Sequence, residues 1–372
     1  MERAVLLTTL MELAWSQLKA AAITTLFQEE DKEGFNMKVT MAHGSGGEST
    51  SKLIESVFAK HFHNEILDRL EDSAVVDGSS KIAVTTDSFV VTPIIFPGGD
   101  IGRLSVCGTV NDLLMSSSTP KYLTCGCILE EGLDLDALDK IIESMALTAN
   151  EAGVKIITGD TKVIENKGGE PGLIINTSGV GFIREDVEVP GPFNLKGGDK
   201  IIISGNLGDH HATILGARMG ISNNICSDAA PLVEMVSKLL DNGVKVHAMR
   251  DVTRGGLGTV LNEFASSSKC QINLYEEALP VSDAVKDFCG ILGLDVMYMG
   301  NEGKMVLSVA AEDADRAVSL IRSSKYGENA TIIGDVVKVN DDDDIKGVIL
   351  NTKIGGKRTI GLMYGEGLPR IC

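Results

Sequence analysis

The chain has 372 residues, of which 43% are hydrophobic and 41 are glycine. It is long enough to form two packed domains and too apolar to be a disordered protein. The formal net charge of −18 and the absence of any basic run in the sequence argue against a nucleic-acid partner. No uncharged stretch approaches the roughly 20 apolar residues that span a bilayer, so no membrane association is expected. Seven cysteines without a CxxC pair are typical of a reduced, cytoplasmic protein.

Residues 1–36 are predicted to be a leader or linker of uncertain status. Glu12, Gln17 and Lys19 interrupt the apolar segment 4–27, which therefore indicates an amphipathic helix rather than a membrane span or secretory signal. Untranslated sequence upstream of a true start at Met37 is the other interpretation.

A glycine-rich segment follows this leader and precedes an amphipathic helix predicted to begin near Ser49. Because the first amides of a helix lack partners within it, such a segment can bind an anion, although glycine-rich turns are common. The candidate residues are Gly44, Ser45, Gly46 and Gly47.

The next elements alternate between strand and helix patterns. Strands are predicted over 81–91, 122–129, 154–158 and 173–183, and Cys125 and Cys127 share one face of the second strand, where buried packing is favoured over a metal site. A helix is predicted over 134–150, since Leu138, Ile142 and Met145 lie on one face and Gly153 follows. The Pro- and Gly-rich segment 189–199 then breaks the periodicity and indicates a domain boundary near 190.

The second half repeats the mixture of helix and strand patterns. Helices are predicted over 231–242, 257–266 and 282–292, and strands over 200–204, 304–309 and 330–337. The fold class is therefore predicted to be α+β, with two mixed α/β domains at 37–189 and 190–350 and a flexible tail at 351–372.

Four aspartates share one sequence setting, in which the carboxylate follows a run of apolar residues. These are Asp87, Asp112, Asp160 and Asp251. Ligand sites gather at the ends of buried elements, and hard oxygen ligands suit Mg²⁺ that carries a polyphosphate. A single aspartate is more often a helix or turn cap, but four together favour a metal site. Neither a P-loop nor a dinucleotide-binding motif is present in the sequence, so bound ATP would require another fold.

The chain ends with a cysteine, Cys372, two residues after Arg370. A terminal thiol can reach several surfaces, which suits a carrier group, although a solvated thiol without a function is the simpler interpretation. The terminal carboxylate disfavours the thiolate, whereas Arg370 favours it.

Seven motifs together resemble the HypE family of hydrogenase-maturation proteins, which belongs to the aminoimidazole-ribonucleotide synthetase-like superfamily. The resemblance covers the chain from about Met37 to Cys372, and the Pro-Arg-Ile-Cys terminus is its most specific part. The motifs lie at 42–47, 85–91, 108–112, 159–162, 250–256, 301–304 and 368–372.

The resemblance implies an ATP-dependent carbamoyl dehydratase. A carbamoyltransferase would load Cys372 with a carbamoyl group, and ATP would phosphorylate the carboxamide oxygen. Loss of phosphate would leave a thiocyanate, from which cyanide passes to an iron-carrying scaffold complex for nickel-iron hydrogenase. The resemblance also implies a homodimer with a shared sheet.

The resemblance assigns roles residue by residue. Mg²⁺ would be held by Asp72, Asp87, Asp112, Asp160 and Asp251. ATP would be bound by the glycine segment 44–47, by Asn111 and by four of these aspartates, Asp72 being the exception. The catalytic residues would be Cys372, Lys162 and Glu302.

Two positions depart from the family pattern, since His211 stands where relatives commonly have Gly, and Ala229 where they often have Cys. Two alternatives remain open: a kinase or synthetase of the same superfamily that acts on a free metabolite, and a non-catalytic docking scaffold. Ser45 disfavours a selenophosphate synthetase, which carries a reactive Cys or selenocysteine near this segment.

Overall fold

The computed structural model describes residues 38–45, 47–69, 73–337 and 347–362. The leader 1–36, Gly46, Asp72 and the tail from 363 to Cys372 lie outside these ranges. Within them, no helix combines the length and the apolar character needed to cross a bilayer.

The N-terminal half forms a sheet of four strands in the order β1-β6-β4-β5 and a small β2-β3 ribbon. Strand β4 pairs antiparallel with β6 and parallel with β5, while β1 pairs antiparallel with β6. Its described elements are α1 Glu48–Leu53, α2 Lys60–Phe62, β1 Ile82–Phe89, β2 Ile95–Phe96, β3 Gly99–Asp100, α3 Ile101–Met115, β4 Ser118–Glu130, α4 Leu135–Ala152, β5 Lys155–Ile164 and β6 Leu173–Ile183.

Helices α3 and α4 cover one face of this sheet. Helix α4 begins where the Asp134 side chain accepts a hydrogen bond from the Ala137 amide at 2.9 Å, and it ends at Gly153 in the left-handed conformation. Helix α3 packs closely, since a Cβ on Gly102 would lie 2.3 Å from the Ile141 carbonyl oxygen of α4. Glycine therefore lets the two helices touch, and α3 lies in the centre of the N-terminal half.

The C-terminal half contains a mixed sheet of seven strands in the order β13-β12-β9-β11-β7-β10-β8. Residues of α7 form an apolar cluster with one face, and α6 and α9 contribute to the cluster on the other. The described elements are β7 Lys200–Ile203, α5 Asp209–Met219, α6 Val233–Asp241, β8 Val246–Asp251, α7 Gly256–Ser268, β9 Gln271–Tyr275, α8 Asp283–Leu292, β10 Met305–Val309, α9 Ala314–Arg322, β11 Thr331–Val337, β12 Gly347–Asn351 and β13 Lys357–Ile360.

The predicted α+β class is confirmed, and most predicted elements agree closely with those observed. Cys125 and Cys127 are buried with their sulfurs 3.6 Å apart, and the Cys125 sulfur lies 3.8 Å from that of Met145, which confirms the predicted packing on one face of the strand. The predicted end of a strand before Asp160 is wrong, because β5 continues to Ile164.

Candidate functional site

Four acidic side chains from both halves form what we call the interdomain carboxylate cluster. Asp87 comes from β1, Asp112 from α3 and Asp251 from the end of β8, while Glu302 lies shortly before β10. The sequence predicted all four as site residues, and the fold brings them within electrostatic reach of one another.

Close packing of β1 on α3 positions the first pair of the cluster. A Cβ on Gly108 would lie 2.7 Å from the Phe89 ring and 3.5 Å from an Asp87 carboxylate oxygen, so glycine permits this contact. The Thr85 hydroxyl donates to Asp112 Oδ2 at 2.9 Å, and the Ser88 amide donates to Asp87 Oδ1 at 2.8 Å. Both carboxylates are therefore oriented by neighbouring polar groups.

The cluster concentrates negative charge in a partly buried place. Burial raises the pKa of Asp87 and that of Asp112. Burial, and then the charges of Asp112 and Asp87, raise the pKa of Asp251 to about 7. The pKa of Glu302, a residue with only 4% of its surface exposed, is raised well above its usual range, first by burial and then by the charge of Asp251. The charges of Asp87 and Asp112 thus disfavour ionisation of Asp251, and the charges of Asp251 and Asp87 disfavour ionisation of Glu302.

This donor set fits Mg²⁺. Among the described residues, no group of three or more His, Cys, Asp or Glu side chains is close enough together to hold a metal ion. Mg²⁺ commonly takes one or two carboxylates and completes its shell with phosphate oxygens and water, so a complete protein cage is not needed. A divalent cation would also relieve the repulsion among Asp87, Asp112 and Asp251.

Asn111, predicted to bind nucleotide, links the two halves of the molecule. Its buried amide donates to the carbonyl oxygens of Ala230 at 3.0 Å and Glu302 at 3.4 Å, and it accepts from the Leu232 amide at 2.9 Å. These bonds fix the segment that carries Glu302 against α3. A contact between Asn111 and nucleotide remains a prediction.

Asp160 and Lys162 lie away from the cluster within one chain. Asp87 pairs with Thr177, Thr177 with Cys125, and Cys125 with the residue before Asp160, so about three strand spacings, or roughly 14 Å, separate the aspartates. Alternation along β5 also places Asp160 and Lys162 on the face opposite to Cys125, away from α3 and α4. The two side chains form an ion pair of 2.8 Å and are 69% and 62% exposed, and this pairing lowers the pKa of Asp160.

The glycine segment lies beside β5 as well. A Cβ on Gly44 would come within 2.8 Å of the Val163 side chain, so a larger residue would push the segment off the strand. Gly47 immediately precedes α1, and, its chain neighbours aside, no atom of the described residues lies within 4 Å of the position its Cβ would take. Ser45 donates to the Ala42 carbonyl oxygen at 2.8 Å. The segment is thus close to Asp160 and Lys162 rather than to Asp251.

Sequence reasoning missed a second polar region behind Glu302. The Asp228 carboxylate accepts from the Glu302 amide at 3.1 Å, and it lies 3.0 Å from the Lys304 ammonium, both side chains being buried. They border a cavity of about 580 Å³ that also contacts Asp209, whose pKa rises to about 6, mainly through burial and then the charge of Asp228. Two sequence signals pointed to this region: Lys304 lies in the motif at 301–304, and Asp228 directly precedes Ala229, where the chain departs from the family pattern.

A network around Arg103 lines this cavity and connects the two halves. Arg103 donates to the Ala229 carbonyl oxygen at 2.7 Å and to Glu151 at 3.1 Å, and Glu151 in turn accepts from Tyr326 at 2.6 Å and from Lys325. Burial alone would raise the pKa of Glu151, but the hydrogen bonds from its partners hold it at about 2. We call this set the Arg103–Glu151 network.

Comparison with known proteins places this architecture in a family. Residues 70–183 match the N-terminal domain of AIR synthase related proteins, and residues 196–345 match the C-terminal domain. The carbamoyl dehydratase HypE of Escherichia coli strain K12 is 44% identical over 343 residues, covering 90% of this chain and 99% of the relative. The chain belongs to the HypE family of hydrogenase-maturation proteins.

Solved HypE structures share the fold. A HypE crystal structure in complex with ATP has a TM-score of 0.85 and 43% identity, covering 89% of this chain and 99% of the other. HypE in a HypE–HypF complex has a TM-score of 0.72 and 43% identity, covering 84% and 99%. The chain therefore shares the overall fold of the solved HypE structures.

Proposed function

We propose that this HypE-family chain is an ATP-dependent carbamoyl dehydratase that converts a thiocarboxamide on its own Cys372 into a thiocyanate. The observation that carries the proposal is the interdomain carboxylate cluster, which unites Asp87, Asp112, Asp251 and Glu302 in a chain that ends in cysteine. ATP bound to a similar HypE structure supports ATP as the co-substrate.

The reaction removes the elements of water from the carboxamide. The carboxamide oxygen takes the γ-phosphoryl group of ATP, and ADP leaves. The carbon–oxygen bond then breaks and phosphate departs, while the nitrogen gives up both protons as its bond to carbon becomes triple. Phosphorylation is needed because an unmodified carboxamide oxygen is a poor leaving group.

Residues of the cluster supply charge and a proton acceptor. Asp87, Asp112 and Asp251 would hold Mg²⁺, which neutralises phosphate charge when it is bound. Glu302 would accept a proton from the carboxamide nitrogen, and its raised pKa makes its ionised form a stronger base. Gly44 and Gly47, which lie beside β5 like Lys162, would contribute backbone amides to the phosphates at the carboxylate cluster of the other protomer, and Ser45 would contribute its side chain.

Lys162 and Asp160 of one chain would lie near the interdomain carboxylate cluster only if that cluster belongs to a second copy of the chain. They lie on the sheet face that α3 and α4 leave uncovered, where Ile82, Val84 and Ile128 are 51%, 66% and 37% exposed. We expect the partner subunit to cover this apolar face, which yields a homodimer with a shared sheet. Lys162 of the partner subunit would then stabilise charge near the docked tail.

Two further maturation proteins are expected as partners in the cytoplasm. A similar HypE structure in complex with HypF supports docking of a second protein, which we propose to be the carbamoyltransferase that loads Cys372. An iron-carrying scaffold complex would accept the cyanide for nickel-iron hydrogenase.

Mass spectrometry of the C-terminal peptide tests the proposal. Purified protein would be incubated with the carbamoyltransferase, carbamoyl phosphate and ATP. The peptide should gain a carbamoyl group and then lose the mass of water only when ATP is present. Cys372→Ala should abolish both changes and leave nucleotide binding intact. An unmodified wild-type tail, with ATP consumed on a free metabolite instead, would favour a kinase of the superfamily.

A further inference from the structure

Asn301, the residue before Glu302, is fully buried and uses both polar atoms of its side chain in hydrogen bonds to the backbone. Its side-chain amide donates to the carbonyl oxygens of Val252 at 3.0 Å and Met299 at 3.2 Å, and its side-chain oxygen accepts from the Gly208 amide at 2.7 Å. The Asn301 backbone amide also donates to the Val252 carbonyl oxygen, at 2.9 Å. One residue therefore holds the Val252 carbonyl group by two hydrogen bonds.

Val252 connects these bonds to the carboxylate cluster, because it directly follows Asp251 at the end of β8. The Val252 amide donates to the Lys304 carbonyl oxygen at 2.9 Å, so the backbone beside Asp251 is bonded on both sides of Glu302. Strand β8 is itself paired with β10 up to Asp251. The separation of the two carboxylates therefore depends on how the residues just before β10 are held.

The first turn of α5 holds the same segment from another direction. The His211 amide donates to the Gly300 carbonyl oxygen, and the Gly300 amide donates to His211 Nδ1, both at 3.3 Å. The bonds from Asp228 and Asn111 reach the backbone of Glu302 itself, so they fix its height above α3. Asn301 adds the link from this segment to the residue beside Asp251.

We propose that Asn301 is a positioning residue, which holds the Glu302 carboxyl group at a fixed separation from Asp251. Negative charge on Asp251 repels the Glu302 carboxylate, so the segment would move apart if it were not bonded to the end of β8. A displacement of about 1 Å at a reacting group can cost roughly 100-fold in rate. The inference rests on the proposed function for the role of Glu302, but the link itself can be tested without it.

Amide hydrogen exchange with single-residue resolution tests the link. Asn301→Ala removes the side-chain bonds and should speed exchange of the Val252 and Glu302 amides together, by about tenfold each, the worth of one hydrogen bond. The amides of α4 should exchange as in the wild type. Acceleration of only one of the two amides, or of neither, would overturn the inference. The same acceleration throughout α4 would also overturn it, because it would indicate a general loss of stability.

Asn64→Ala is the matched control for this measurement. The Asn64 side-chain amide also donates to two backbone carbonyl oxygens, those of Phe62 and Ile156, both at 2.9 Å. Asn64 lies beside β5 in the N-terminal half, so its loss should leave both test amides unchanged. Should Asn301→Ala not fold, Asn301→Ser is the second variant. Its hydroxyl can replace one of the lost bonds, and the two amides should still accelerate together by a smaller factor.

Kinetics separate positioning from a structural role. Asn301→Ala should slow dehydration of the carbamoylated protein by roughly 10- to 100-fold and leave its affinity for ATP unchanged. In a Glu302→Gln background the same substitution should cause no further loss, since the group that it positions is already gone. Equal losses in both backgrounds would overturn the positioning role. If the wild-type protein does not dehydrate its carbamoyl group, the proposed function fails, while hydrogen exchange still decides whether Asn301 links the two segments.

Discussion

Gly303 separates Glu302 from Lys304 and leaves no room for a side chain. A Cβ on Gly303 would lie 1.9 Å from the Asp228 carbonyl oxygen and 3.0 Å from the Ala230 amide nitrogen. Both neighbours are backbone atoms, which cannot rotate away as a side chain could. Because of this contact, the backbone at Gly303 packs directly against the backbone of residues 228–230, between the carboxylate cluster and the Asp228–Lys304 pair.

Gly303→Ala should therefore displace the Glu302 segment. We expect a loss of about 1–3 kcal/mol in the free energy of unfolding, as for other overpacked sites, together with a large fall in ATP turnover. Gly290→Ala is the control, since no atom of the described chain outside the backbone of α8 lies within 4 Å of its Cβ position, and alanine there should stabilise the helix by about 0.5–1 kcal/mol. Urea denaturation of both variants would measure the difference. Equal stability of the two would contradict the geometry.

The site residues that the sequence identified lie in recognisable motifs. The position of Asp160 and the role of Asp228 were not predicted, and this has a physical cause. The motifs identified Asp87, Asp112, Asp251 and Glu302, which the fold brings together. No local pattern could show that Asp160 lies on the other face and the opposite edge strand, because strand order depends on contacts distant in sequence. Asp228 was missed for the same reason, since its role arises only where two segments of the second half meet.

Among the elements, the amphipathic helix α4 was predictable and the central helix α3 was not. Leu138, Ile142 and Met145 form the buried face of α4, and the apolar spacing that revealed it needs no knowledge of the partner. Helix α3 is buried on nearly all sides, so it shows no alternation between apolar and polar faces. The short strands β12 and β13 likewise lack a distinctive pattern. Strand β12 is defined by its pairing with β9, and β13 by its pairing with β12.

The N-terminus of α4 allows a test of how much the Asp134 cap stabilises this helix. Asp134→Ala removes the side-chain acceptor for the Ala137 amide and should lower the free energy of unfolding by about 1 kcal/mol. Asp136→Ala removes the same charge from an exposed position in the first turn, and it should cost only about 0.3–1 kcal/mol. Thermal denaturation would compare them. A cost for Asp136→Ala equal to or above that of Asp134→Ala would show that charge, rather than the cap, stabilises this end.

At the scale of the whole molecule, the Arg103–Glu151 network should couple the two halves in a pH-dependent way. The pKa of Glu151 is about 2 in the folded protein and near 4.5 when free. The ionised Glu151 carboxylate therefore contributes fully to the free energy of unfolding above pH 4.5, and this contribution is lost as pH falls toward 2. Because Glu151 is partly exposed, we expect Glu151→Gln to cost only about 1 kcal/mol at pH 7. The difference from wild type should vanish near pH 2. Glu143→Gln, at an exposed glutamate of the same helix, is the control, and a difference that persists at low pH would exclude the ionised carboxylate as its source.

A homodimer with shared sites makes a prediction that one chain alone cannot satisfy. If each site combines the carboxylate cluster of one protomer with Lys162 of the partner subunit, Asp251→Asn and Lys162→Met should each abolish dehydration in a homodimer. A mixed dimer of the two variants would then contain one site with both defects and one intact site.

Co-expressed variants with random pairing should recover about a quarter of wild-type activity, since about half of the dimers are mixed and each has one working site. Activity would be measured after purification through two different affinity tags, which isolates the mixed dimers and should raise the recovery to about half. Absence of recovery in purified mixed dimers would place Lys162 and Asp251 of the same chain in one site, against the strand order that separates Lys162 on β5 from Asp87 of the cluster on β1.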